Sequence, residues 1–430
     1  MNPRVDYTLV ESPREFATAA AALAAGRGPF AVDTERASAF RYDDRAFLVQ
    51  VYRRDSGTFL IAPEGHRAEV TEVFGPVLNG GEWIIHAAGE DLRSLAQLGL
   101  TPGSLFDTEL AARLAGFDRP NLGAMVAHFV GVELEKGHGH EDWSTMPLPD
   151  AWQEYAALDV AYLHPLAEAL AEQLDAEGKL AIAAEEFTHL IHAYAHTSAP
   201  EKTWRDLKGV STVRTPSGLQ LVRELWRARD EYGRSTDTSP SRLLSNRTLV
   251  EIARAEPDSH QELLDALGRE RLPERRAKRI QRVIQQALEA DVDTWPTAHK
   301  HETKDSPPGK GTWERHYPDS WQMLQHTRTR VAEVSAALQI PPELVLAPAT
   351  LRSVAWNAPS TGPAWDTHTA ATQLRDAGAR QWQIELTAPV IAAAHAETVR
   401  LAVAAREGQG RRDATRRRRR RRQAAALGRD

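Results

Sequence analysis

The sequence predicts an α/β domain built on a mixed sheet, followed by two all-helical modules and a basic tail. Three observations carry this expectation. Over residues 1–175, short runs rich in Val, Ile, Leu and aromatics alternate with helix-period patterns. After about Pro165 the strand signals stop. The helical remainder then contains one stretch that the chain uses twice.

The elements follow in order. Pro29–Asp33 (PFAVD), Ala46–Tyr52 (AFLVQVY), Thr58–Ala62 (TFLIA) and Glu82–His86 (EWIIH) read as strands. Helical patterns fall at Ser12–Ala25, Glu90–Leu98, Asp107–Leu114 and Leu122–Phe129. A meander first and strand–helix alternation second give a mixed sheet with flanking helices. Leu166–His196 is Ala-rich and helical, and Ala199–Thr215 reads as a linker. Pro216–Gly233, Arg247–Glu256 and His260–Leu267 form a first helical module. Pro296–Pro318 has no aliphatic residue larger than Ala and reads as a second linker. Setting Pro240 over Pro342 aligns PSRLLSNRTLVEIARAEP with PELVLAPATLRSVAWNAP without a gap, which predicts that the second module repeats a helical pattern of the first.

Composition narrows the chemistry. The 430 residues include no cysteine, which excludes disulfides, thiolate metal sites and cysteine nucleophiles. Any metal must be held by Asp, Glu or His. No run reaches eighteen apolar residues, so no membrane span is expected. The opening MNPRVDYTLVESPREF carries acids and no apolar h-region, so no signal peptide is expected and a cytoplasmic location is the default. The net charge of −6 hides an asymmetry: residues 411–422 hold nine Arg and one Asp, a local +8, which leaves −14 on the rest. Such a tail points to a nucleic-acid partner, and self-repulsion among its arginines predicts that it stays disordered until it meets a polyanion.

Three places combine residues of catalytic type. Asp33 and Glu35 follow the apolar run FAV. Positions two apart on a strand share a side, so both carboxylates project from one strand end. They repel unless a cation lies between them, and Mg²⁺ or Mn²⁺ is the natural occupant. The same tripeptide recurs at Asp107-Thr108-Glu109, but in a helix-start context where Asp107 suits an N-cap; that copy reads as structural. Tyr155 and Asp159 lie four apart on a helical pattern and share a face, which by itself suits a tyrosine closing a core over a solvated aspartate. Asp91 sits where a strand gives way to a helix, a position that dipole stabilisation alone would explain. His86, at the strand end before it, is given no role.

Taken together and in this order, the sites resemble the DEDDy exonucleases. FAVDTE, HAAGEDLRSL, LFDTELAARLAGF, VELEKGHGHEDWSTMPLP and YAALDVAYLHPL are similar to the ribonuclease D family. The resemblance is specific over residues 1–170 and looser through 215–290, which looks like an HRDC domain; the C-terminal module looks like a second one. It implies a ribonuclease H-like exonuclease domain over 1–195, a linker at 196–214, an HRDC domain at 215–294, a linker at 295–318, a second HRDC-like domain at 319–408 and the tail at 409–430. It further implies that Asp33, Glu35, Asp91 and Asp159 hold two divalent metal ions and that Tyr155 orients the attacking water. The activity implied is 3′–5′ hydrolysis of RNA with a free 3′ end, tRNA precursors among the expected substrates, releasing nucleoside 5′-monophosphates. One departure stands out: where the family often carries an Arg between Lys136 and Asp142, this chain reads GHGHE, which drops a phosphate contact or passes it to His138 or His140. The same chemistry on DNA is the alternative, as is a nucleic-acid binder on an inactive nuclease fold. The presence of all five expected active-site residues argues against the latter. A repair helicase is excluded by the lack of a Gly-Lys-Ser/Thr phosphate loop.

Overall fold

The structure, a computed structural model, describes residues 5–134, 137–196, 201–268, 270–297 and 306–427. Its sheet has six strands: β1 (Tyr7–Val10), β2 (Arg27–Arg36), β3 (Ala46–Arg54), β4 (Gly57–Ile61), β5 (Glu82–Ile85) and β6 (Ser104–Asp107), in the order β1-β4-β3-β2-β5-β6. The meander β2-β3-β4 is antiparallel, while β5 and β6 add to β2 in parallel and β1 pairs in parallel with β4. The sheet is therefore mixed, as the patterning implied. Strands β1 and β6 are additional to the four that the sequence picks out.

Helices α1 (Pro13–Ala25) and α2 (Arg67–Leu78) pack together, with Phe16 and Phe74 fully buried and edge-on at 6.0 Å. Three shorter helices, α3 (Leu92–Ala96), α4 (Thr108–Leu114) and α5 (Leu122–Val130), follow β5 and β6. The other face of the sheet is covered by α6 (Asp150–Ala161), with α7 (Leu163–Ala176) and α8 (Leu180–Leu190) after it. Ala156, Ala157 and Val160 are buried against Leu48, Leu60 and Ala31. These small side chains let α6 lie close to the strands, which brings its polar residues to the end of β2.

A first helical module comprises α9 (Pro216–Thr236), α10 (Pro240–Leu243), α11 (Asn246–Ala255), α12 (His260–Leu267) and α13 (Glu274–Glu289). Its core includes Leu221, Val222, Leu249, Ile252, Leu263 and Ile284. It also includes Trp204, Leu207 and Val213, from the stretch expected to be a linker. The correction has a plain cause: two short 3₁₀ turns fold this segment back, the first capped by Thr203, and one indole buries enough apolar surface to hold it. Residues 197–200 of that linker lie outside the described residues. The module is fastened to the loop after β2: Arg45 donates to both carboxylate oxygens of Asp237 at 3.1 and 2.8 Å, and Tyr42 Oη donates to Asp230 at 2.9 Å.

The second module comprises α14 (Lys310–His316), α15 (Pro318–Leu338), α16 (Pro342–Val345), α17 (Pro348–Asn357), α18 (Thr367–Asp376) and α19 (Gln381–Leu427). Helices α15, α16 and α17 match α9, α10 and α11 in length, and each starts 102 residues after its counterpart. The repeat read from Pro240 and Pro342 is thus a repeat of structure. Helix α14 corrects the second linker, because Trp313 is fully buried, edge-on to Trp356 at 5.4 Å; residues 298–305 lie outside the described residues. The compact units also cut across the expected boundary at 195. Leu110–Pro120 and Leu170–Glu186 group with the C-terminal helices, where Arg380 holds both carboxylate oxygens of Glu186 at 2.6 and 2.8 Å.

Helix α19 runs through residues 409–427 without a break, so the basic segment is helical where disorder was expected. Arg is a good helix former, and a helix already nucleated upstream extends at little cost. On length and composition alone, Gln381–Arg417 could also cross a membrane, contrary to the expectation of no such stretch. Within its unit, however, Ile384, Ala388, Ile391 and Ala394 are buried where α19 packs on α15 and α18, which accounts for its apolar character.

Candidate active site

Strand β2 delivers the first two acids. Asp33 and Glu35 lie beyond the part of β2 that pairs with β5, opposite Gln50 and Leu48 of β3, and a register shift follows Glu35. Helix α6 delivers Tyr155 and Asp159 one turn apart, and the Tyr155 hydroxyl donates to the Asp159 carboxylate. One ligand oxygen from each of Asp33, Glu35 and Asp159 falls within 4.8 Å of the others. Beside them lies a cavity of about 190 Å³ lined by Asp33, His86, Leu122, Tyr155, Asp159 and Leu163.

Asp91 lies outside this trio but within its electrostatic reach. It begins α3 and is only 3 % exposed, yet its side chain makes no capping bond to the helix. Instead it accepts from Thr34 Oγ1 at 2.6 Å, with an Arg36 nitrogen at 3.8 Å. A helix-start acid serving only the dipole would have no reason to be buried against another element. Thr34, between the two strand acids and one residue out of phase with them, is thus a positioning residue that the sequence reading missed.

The second Asp-Thr-Glu is structural, as expected. Asp107 ends β6 and accepts from the backbone N–H groups of Ala87, Ala88 and Glu109 at 3.0, 2.8 and 2.9 Å. It caps α4 and clamps the turn between β5 and α3. Ala87 in that turn has φ of 64°, a strained value for a residue with a Cβ. The turn determines where Asp91 stands, so Asp107 supports the site at one remove. His86 at the end of β5 shares a hydrogen bond with Thr108 Oγ1 at 2.9 Å.

Crowding shapes the electrostatics. Burial first, and then Asp33, Asp159 and Asp91, push the Glu35 carboxyl up to about 10. Burial and Asp91 push Asp159 up to about 7, against the hydrogen bond from Tyr155. Asp33 and Asp91 are likewise raised well above the usual carboxylate range, by burial and then by Asp159 and Asp33 respectively. Three acids with oxygens converging on one point, and a fourth, Asp91, raised beside them, fit the charge and hard oxygen donors that a divalent cation requires. Tyr155 is raised above its ordinary value by burial and by these carboxylates, so it keeps its proton and acts as a donor.

The GHGHE segment lies against Tyr155. His138 stands edge-on to Tyr155 at 5.8 Å, and a Cβ at Gly137 would come within 3.2 Å of the Tyr155 ring. Trp143, fully buried behind it, packs on Trp152 and Tyr155 at 5.4 and 6.4 Å. The glycines therefore admit the loop to the tyrosine, and the tryptophans fix the ring.

Known proteins resemble this chain over each of its parts. The 3′–5′ exonuclease family matches residues 7–175, the HRDC domain 218–284 and the 3′ to 5′ exonuclease C-terminal domain 306–395. Ribonuclease D of Gluconacetobacter diazotrophicus is 32 % identical over 250 residues, covering 56 % of this chain and 61 % of its own length. Across the first three such relatives, the chain spans 44–66 % of their length. A crystal structure of a protein from Bifidobacterium adolescentis is similar with a TM-score of 0.76 at 31 % identity, covering 91 % of this chain and 96 % of that one. That of Escherichia coli RNase D, an exoribonuclease involved in structured RNA processing, has a TM-score of 0.64 at 23 % identity, covering 86 % and 98 %; at that identity the likeness speaks for the fold.

Proposed function

Because the chain belongs to the ribonuclease D family of 3′–5′ exonucleases, we propose that it hydrolyses RNA from a free 3′ end and releases nucleoside 5′-monophosphates. The observation that carries this reading is the meeting of Asp33, Glu35 and Asp159 oxygens within 4.8 Å, on the wall of a cavity that Tyr155 also lines. Asp33, Glu35 and Asp159, with Asp91 behind them, would hold two ions of Mg²⁺ or Mn²⁺. Bound there, such ions acidify a water and neutralise charge on the phosphate and the leaving oxygen. The protein's own groups do the rest. Tyr155, protonated throughout the working pH range, donates its hydrogen bond and orients the attacking water. Leu122 and Leu163 offer apolar surface to the terminal nucleoside. His138, against Tyr155, takes the phosphate contact that the GHGHE segment otherwise lacks.

The helical parts supply grip. A groove of about 450 Å³ in the first module is lined by Arg229, Arg275, Arg276, Arg279 and Arg282 over Leu225, Ile280 and Val283, with no acid among the described lining residues. Arg229 and Arg276 are tied to backbone carbonyls of the α10 region, whereas Arg275, Arg279 and Arg282 are exposed along α13. That arrangement suits the phosphates of an RNA strand, tRNA precursors among them. We assign the enzyme to the cytoplasm on its cysteine-free composition. The direct test uses 3′-tailed RNA and DNA strands of matched sequence. Faster shortening of the RNA is expected; equal or faster shortening of the DNA would move the substrate class to DNA.

Metal binding should also show in stability. A carboxyl raised on folding contributes stability that is present below its unfolded value near pH 4 and is lost as pH rises through its folded value. For Asp159 and Glu35 the folded values are about 7 and about 10, so metal-free protein should soften as pH climbs through this range. Mg²⁺ or Mn²⁺ takes the ionised site, so its stabilising shift in Tm should be larger at about pH 8.5 than at about pH 6. A metal-induced shift that shrinks with rising pH would contradict the assignment.

The tail gives a separate prediction. Deleting residues 411–430 should weaken RNA binding at low salt and leave kcat at saturating substrate unchanged. Each phosphate neutralised on a single strand contributes a slope of about −0.7 in log K against log salt. If about four arginines engage at once, deletion should flatten that slope by roughly three. Binding isotherms at several salt concentrations read this out. An unchanged slope would mean that the arginines do not contact RNA.

A further inference from the structure

Gln50 sits in the middle of β3, fully buried, and among the described residues neither its Nε2 nor its Oε1 has a hydrogen-bond partner. A buried amide with neither end paired costs the full desolvation of both groups, which native structures rarely tolerate without a use for them. Its surroundings define that use. Its two cross-strand neighbours are Leu60 of β4 and Asp33 of β2. Side chains directly opposite on an antiparallel pair share a face, with Cβ atoms roughly 4.5–5.5 Å apart. On this face the row on one side holds Tyr52, Ala31 and Ile84, and the row on the other holds Leu48 and Glu35. Ala156, Ala157 and Val160 of α6 cover these rows. Within its own row the amide has apolar Leu60 on one side and the Asp33 carboxylate on the other, so Asp33 is the polar group directly beside it.

We propose that Gln50 is a positioning residue: its side-chain Nε2–H donates to Asp33 and holds that carboxylate in the orientation that takes a divalent cation. The proposal rests on the reading of the acidic cluster as a metal site and goes beyond it by naming what aims one of its ligands. A glutamine reaches an adjacent carboxylate by rotation about its own side-chain bonds, with no movement of the strand. Fixing a ligand by a hydrogen bond from behind raises affinity by restricting it to the productive rotamer.

The test is calorimetric titration of metal-free protein with Mn²⁺ alone, paired with thermal melts in its absence, for wild type, Gln50→Leu and Gln50→Met. Both replacements fill the space without hydrogen-bonding groups, and the unbranched methionine guards against a shape effect. The expected result is Mn²⁺ affinity lower by about 10–100-fold in both variants, with the metal-free Tm equal to or above that of wild type. Unchanged Mn²⁺ affinity would overturn the proposal, as would failure of both variants to fold, which would make Gln50 a core residue. The two readings separate cleanly: if wild type itself fails to bind Mn²⁺, the metal site falls, whereas wild-type binding matched by both variants removes only Gln50.

Discussion

Changing Asp33 to asparagine is expected to abolish hydrolysis while raising the melting temperature of the metal-free protein. The two effects have one cause. Asp33, Glu35 and Asp159 are crowded and half-buried, and each raises the cost of ionising the next. Removing one charge relieves the others, and a domain of this size gains about 2–4 °C for each kcal/mol relieved. Stability rises because a functional cluster is strained, a common exchange at active sites. Activity falls because the remaining carboxylates cannot hold the same metal charge. Residues that act as a unit lose most of their effect when any one is removed, so kcat should drop by about 10⁴-fold or more. Asp159→Ala should lose as much activity, and the double variant little more. Glu109→Ala supplies the control, since the second Asp-Thr-Glu acts through Asp107 and its hydrogen bonds to backbone; it should leave kcat nearly unchanged. Equal losses from Glu109→Ala and Glu35→Ala would show that the wrong tripeptide had been assigned to chemistry.

Tyr155→Phe should lower kcat by about 10²–10⁴-fold, the usual range for a group that positions a proton in flight, with RNA affinity barely changed. The ring is held by Trp143 and His138 and should stay where it is, so only the hydroxyl is lost. Because burial and the neighbouring carboxylates raise the tyrosine above its ordinary value, it does not titrate as a base near neutrality. The pH–rate profile of the wild type should therefore show no limb from Tyr155. Single-turnover kinetics with saturating enzyme separate the hydroxyl's effect from binding. A variant with wild-type kcat would reduce Tyr155 to a packing residue.

The sequence was most legible where pattern and position coincide. The apolar run before Asp33 fixes a strand, and a two-residue period then puts Glu35 beside it. The four-residue spacing of Tyr155 and Asp159 survives because α6 is a regular helix. The Pro240 and Pro342 match became a repeat of three helices because both prolines stand at helix starts. Other features rest on distant partners. Strand β1 is four residues long and exists by pairing with β4 some fifty positions later. Trp204 and Trp313 stand in polar stretches that read as linkers, and each is buried by residues far along the chain. The arginine run was read from its self-repulsion, whereas the helix preceding it extends through it. The same limit applies within the site. The pattern names Asp91 as a ligand but not the Thr34 hydroxyl that holds it, because Thr34 points out of phase with the acids. Gln50 gave no signal at all: a glutamine inside AFLVQVY has meaning only once its cross-strand partner is known to be Asp33.

The most direct test of the central claim follows single-stranded RNA labelled at its 5′ end, with Mg²⁺ present and again with EDTA. With Mg²⁺, labelled strands should shorten one nucleotide at a time, with nucleoside 5′-monophosphates accumulating, and with EDTA they should stay unchanged. Immediate release of the labelled terminal nucleotide, or undiminished shortening in EDTA, would contradict that claim.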